Sequence, residues 1–270
     1  SFTNCENHGT LVHNLTVTAV TNIGGILAQG YIAADNARDI PFSITGCKNT
    51  GNIVYNVAAG AAHTGLRVIG GIYGYGNIKN KLIPVNIVDC ASSGIMTVKD
   101  VSNKDQELAF GAIHGYTQYG ATVTITNTRS TAKMYVGYDV NLETGEATPI
   151  EGHTIAGKMK AGGFHAMFTA PTVCTDCDFA GEINIHGNFT KNDQIQIGGY
   201  GGYGGYGSNY MNYMMMAAYA SGYTGSSSSE KLSVELDKDR YYNATLIGPE
   251  TAGEQKPRFK VTFSAPKSAE

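Results

Sequence analysis

Cys174 and Cys177 stand three residues apart in the run Cys-Thr-Asp-Cys, the spacing of half a thiolate zinc site. The chain has five cysteines and no second pair at that spacing, so a local disulfide or two inert thiols fits as readily. His114 and His165 fall at the same position of two similar heptapeptides, GAIHGYT and GGFHAMF. No third ligand shares their register, and no metal is assigned to them. Asp89 and Asp176 each precede a cysteine, and acids stacked on neighbouring strands could cleave a glycan or hold calcium. The matching positions elsewhere hold Asn4, Gly46 and Asn127, so no acidic column forms. The sequence therefore offers no catalytic residue and no cofactor site, and a non-enzymatic protein is expected.

These residues belong to a repeat. The heptapeptide GGIYGYG at Gly70 has near-copies starting at residues 24, 111, 162 and 198. Ahead of each lies a second motif, a cysteine followed by Gly and an apolar residue: CENHGTL, CKNTGNI, CASSGIM and CDFAGEI, with TRSTAKM as a degenerate copy. These begin at residues 5, 47, 90, 177 and 128, so successive starts are 38 to 49 residues apart. Slack placed between motifs, with the motifs themselves constant, is the mark of a stacked array whose loops vary and whose strands do not.

Composition agrees. Of 270 residues 35 are Gly and 17 Tyr, there is no Trp, and only 15% are charged. Short period-two runs such as Ile53 to Val57, Thr122 to Thr126 and Ile183 to Gly187 read as strands, and helical spacing is hard to find. The net charge of −3, with no Lys/Arg cluster, argues against nucleic acid, and no apolar run is long enough for a membrane-spanning helix. The expected fold is all-β, a parallel β-solenoid of five two-part repeats over residues 1–205. An uncharged Tyr/Gly/Met/Ser-rich loop follows at 206–229, its Met-rich middle folding back on the solenoid, and a small C-terminal β cap at 230–270. With two coils to a repeat, neighbouring repeat cysteines would lie about 9.6 Å apart, too far for a disulfide, and form a buried thiol column.

The pairing of C-x-N-x-G-x-h with a later h-G-G-h-x-G resembles the GLUG-type and related Cys-Asn-Gly repeats of large secreted and surface proteins of bacteria, particularly Bacteroidetes. Cys5, Asn7, Gly9 and Leu11 with Gly24, Gly25 and Ile26 carry it in the first repeat. Cys47, Asn49, Gly51 and Ile53 with Gly70, Gly71, Ile72 and Gly74 carry it in the second. The resemblance implies a β-solenoid adhesin or surface scaffold, extracellular or on the cell surface; a polysaccharide-binding or polysaccharide-cleaving β-helix is the alternative.

Within the heptapeptides the third and fifth positions are apolar or tiny, as an inward face requires, and the fourth and sixth then face the other way. Those positions include Tyr73, Tyr75, His114, Tyr116, His165 and Tyr203. Exposed, they would form an aromatic strip for a glycan, a host surface ligand or another protein; covered by a loop or by the C-terminal segment, they would be a second layer of core. Near the C-terminus the alternating Phe259, Val261 and Phe263 have the pattern of a strand that joins an open sheet edge. A repeat motif begins within five residues of Ser1, so either coils lie upstream or that end meets another subunit. Partners expected are the chain itself, as homo-oligomer or filament, or a larger surface assembly.

Overall fold

The computed structural model describes residues 1–15, 21–33, 41–57, 65–79, 83–99, 106–118, 122–155, 157–168, 172–175, 177–179, 181–186, 188–189, 195–198, 201–204, 223–224, 244–247 and 260–264. Those residues form strands and turns with no helix, and five parallel sheets of five or six strands dominate. The all-β expectation holds.

In the second repeat the strands are Phe42–Thr45, Lys48–Asn49, Ile53–Val57, Gly65–Gly70 and Tyr73–Ile78, and each lies in a different sheet, the first to fifth in chain order. The next repeat revisits the same sheets in the same order. Ile44 pairs Ile87 in the first sheet, Val54 pairs Thr97 in the third, Gly70 pairs Gly111 in the fourth and Tyr73 pairs His114 in the fifth. One repeat is therefore one layer, which corrects the expectation of two coils per repeat: the cysteine motif supplies the second and third sheets and the Gly-Gly motif the turn from fourth to fifth. Adjacent layers are spaced by one strand separation, about 4.8 Å.

The core follows from that register. Ile44, Ile87 and Ile125 stack in the first sheet, Ile53, Met96, Met134 and Ile183 in the third, and all are buried. Burying each such side chain contributes about 1.5–3 kcal/mol. Polar columns stack as well, with Asn7 Nδ2 donating to Asn49 Oδ1 at 2.8 Å.

Two backbone demands explain the punctuation. Asn4, Gly46, Asp89 and Asn127 turn the same corner with φ of 53°, 65°, 53° and 45°, a left-handed conformation open to Gly, Asn and Asp. Asp89 is thus a corner residue, which accounts for its exchange with Asn and Gly across repeats; Asp176 lies outside the described residues. At Gly71, in the turn between fourth and fifth sheets, an added Cβ would run into the carbonyl oxygen of Ala112 in the next layer. The Gly-Gly pairs exist because backbones of successive layers touch there.

After residue 204 the described strands are Tyr223–Thr224, Ala244–Ile247 and Lys260–Ser264. They add parallel to the outer edges of the first, fourth and third sheets. Residues 206–222, the Met-rich segment included, and Phe259 lie outside the described residues.

Candidate functional site: the stacked histidine, tyrosine and thiol columns

The fifth sheet carries the residues singled out for recognition. Tyr73, His114 and His165 share one register column, continued by Leu27 on one side and the backbone of Gly201 on the other. Tyr75, Tyr116 and Met167 form a second, flanked by Gln29 and by Tyr203, which holds the register position beside Met167. Tyr73, His114, His165, Tyr75, Tyr116 and Met167 are buried, so of the two expected arrangements, an exposed strip or a covered second layer, these residues take the covered one. The cover is the chain's own fourth sheet. The tight Gly-Gly turn folds the fifth sheet against it, and Tyr75, Tyr116 and Met167 pack on Val68 and Ala109 as a second hydrophobic cluster. Tyr73 instead joins the main core, its ring 5.4 Å from that of Phe42.

The two histidines meet inside. His114 Nδ1 and His165 Nδ1 are 2.6 Å apart, and Thr117 Oγ1 lies 3.0 Å from His114 Nε2. One Nδ1 must carry the proton and the other accept it, so the pair is a single N–H···N bond between two neutral rings. Tyr73 stacks on the far face of His114 with centroids 5.0 Å apart. Burial lowers the pKa of both imidazoles, that of His165 to about 3; the neighbouring ring of His165 depresses His114 further. Neutral rings could ligate a metal, yet no group of three or more His, Cys, Asp or Glu that could hold one occurs among the described residues. Chemically the pair is a structural clasp between layers.

The repeat cysteines form a hydrogen-bonded column. The thiols of Cys5, Cys47 and Cys90 donate to the carbonyls of Thr3, Thr45 and Val88, two residues back, at 3.7, 3.5 and 3.2 Å. The Cys5 amide donates to Cys47 Sγ at 3.4 Å. Thr128, the residue that departs from the motif, does the same work: its hydroxyl donates to Thr126 O at 2.9 Å and accepts from the Cys90 amide at 3.3 Å. Cys5, Cys47, Cys90 and Cys177 are all thiols. Separation does not keep them so, since register neighbours are one strand apart. Parallel side chains pointing one way, each thiol committed to its corner, account for it. Burial pushes the Cys90 thiol up to about 12, so it is unreactive. Cys177 Sγ donates to Ile125 O at 3.3 Å, and its thiol state corrects the option of a disulfide to Cys174.

Sequence reasoning missed two features. Lys160, buried, makes an ion pair with Glu107 beneath the second column, its Nζ 3.4 Å from Met167 Sδ. Tyr138–Val140 and Ala147–Pro149 pair antiparallel as a hairpin inserted between the third and fourth sheets of the fourth layer. The turn signal was present in Glu-Thr-Gly-Glu, and Gly145 has φ of 75°. Among the described residues no helix is long and apolar enough to cross a membrane.

Compared with protein-family models, curated proteins and solved structures, the chain matches none. The likeness to Cys-Asn-Gly repeat proteins rests on the repeat residues alone.

Proposed function

We propose that this chain is a β-solenoid module of an extracellular or cell-surface scaffold or fibre, without enzymatic activity. The observation that carries the proposal is the uninterrupted register of five sheets through five repeats, in which the residues fit for chemistry are consumed by stacking. The histidines clasp each other, the thiols satisfy corner carbonyls, and the tyrosines cover the fourth sheet. What such a stack leaves outside is shape, loops and its ends. Those are the working parts of a scaffold or adhesin, and a glycan or host molecule would be held by them rather than by the buried strip. The extracellular setting follows from the repeat likeness, and the buried thiols fit it, since an oxidising medium cannot reach them.

Incubating substoichiometric protein with a panel of polysaccharides and measuring new reducing ends tests the absence of catalysis; release of more than one end per chain overturns it. Protease treatment of intact source cells tests the setting: digestion of the protein with cytosolic markers intact is the expected result.

A further inference from the structure

We propose that Lys160 and Glu107 are joined by a spontaneously formed side-chain amide, an internal cross-link between the third and fourth layers. Both residues depart from the columns they occupy. Lys160 falls in the fourth-sheet column of Asn22, Val68, Ala109 and Gln196, none of them charged. Glu107 stands in another column of that sheet, between Leu66 and Lys158. Stacking alone calls for neither a buried amine nor an acid beside it. A surface ion pair was also within reach, since Lys158 lies directly opposite Glu107 and is exposed. The carboxylate is engaged instead by Lys160, whose side chain is 9% exposed, with Nζ in contact with Oε1. Burying an ion pair costs more than leaving one in water, so this choice of partner needs a reason.

The surroundings favour the uncharged reactants. Met167 Sδ lies 3.4 Å from Nζ and Ala109 flanks Lys160 in register, both of them members of the second hydrophobic cluster. In such a site an ammonium and a carboxylate are each disfavoured, and moving one proton from Nζ to the carboxylate leaves a neutral amine touching a neutral acid. Nζ then attacks Cδ of Glu107. A C–N bond forms, the C–OH bond breaks, and the hydroxyl leaves as water with a proton given up by the nitrogen. The condensation consumes no other reactant. Groups held in contact react as though at an effective concentration of about 10⁵–10⁸ M, which favours a condensation that does not proceed between free molecules in water. The Glu107 side chain is 32% exposed, so the water has a way out. The bond closes the segment from 107 to 160, which contains the Tyr138–Pro149 hairpin, so the array is cross-linked across its inserted layer.

The full chain, purified folded and then denatured, is weighed by intact mass spectrometry and digested with trypsin. The expected mass is lighter than that of the sequence by one water, and the digest should contain a branched peptide joining Glu107 to Lys160. Lys160→Met and Glu107→Leu should each restore the full mass and abolish the branched peptide; leucine already holds the register position of Glu107 in the preceding layer as Leu66. The decisive reading is taken on the unsubstituted chain, so it does not depend on either variant folding. A full-mass chain whose Lys160 amine is acetylated once denatured overturns the cross-link and leaves an ion pair in its place. A lost water that maps to any other residues overturns it as well.

Discussion

Acid should loosen this protein in a window set by the His114–His165 clasp. In the unfolded chain an imidazole takes a proton below about pH 6.5. In the folded chain His165 stays neutral down to about pH 3, because burial opposes the charged ring. Unfolding therefore takes up protons between those values, and stability is full above about pH 6.5 and falls as pH drops, by up to about 1.4 kcal/mol per unit for each residue. From pH 7 to pH 5 His165 alone costs about 2 kcal/mol, or roughly a 5 °C drop in melting temperature for a chain of this size. His114 is shifted in the same direction by burial and by its partner, so it adds to the loss. The assay is thermal unfolding followed by circular dichroism at pH 7.5 and pH 5.0, for the native chain and for His114→Leu with His165→Leu. Leucine is already accepted in this column as Leu27. The double variant should lose most of the pH dependence in that window, and the single His165→Leu variant about half of it. An equal drop in all three chains would refute the reasoning and shift the acid sensitivity to other groups.

Gly46→Ala should destabilise the chain by about 1 kcal/mol or more, whereas Gly46→Asn should cost less, because the corner is left-handed and Asn holds it in other layers; denaturant titration compares them. Cys90→Thr should fold with a near-native melting temperature, as Thr128 does in the next layer, and thiol reagents in native buffer should label Cys47 and Cys90 slowly but rapidly after denaturation. Tyr75→Ala with Tyr116→Ala should lower stability by about 3 kcal/mol or more, since both rings are buried against Val68 and Ala109; an unchanged melting temperature would contradict the second hydrophobic cluster.

The strands and their parallel stacking were legible because like residues recur at fixed positions, and parallel register turns such recurrence into columns. The number of layers per repeat was not. A 42-residue spacing between Cys5 and Cys47 fits one circuit of five short strands or two circuits of fewer, and strand periodicity is the same in both. The orientation of Tyr75 and Tyr116 failed for a related reason. Alternation assigns a residue to one of two faces, but it cannot say that the outer face of one sheet becomes the inner face of a second sheet folded onto it. The Gly-Gly turn held that information, since a backbone contact tight enough to exclude a Cβ also brings the fourth and fifth sheets together. Lys160 gave no signal at all: its burial depends on Glu107, 53 residues away in the preceding layer.

The fourth repeat, irregular in two places, shows which parts of the pattern the fold constrains. Thr128 replaces a cysteine without loss because the corner requires a donor to the carbonyl two residues back and an acceptor for the previous layer's amide, and a hydroxyl supplies both. The longest interval between Gly-Gly motifs, from Gly111 to Gly162, contains the Tyr138–Pro149 hairpin, yet Leu108 still pairs Met159 and Gly111 still pairs Gly162. Register across the insertion is therefore held by the columns, not by loop length. A stack built this way can vary its loops in one layer while the next layer's core is untouched.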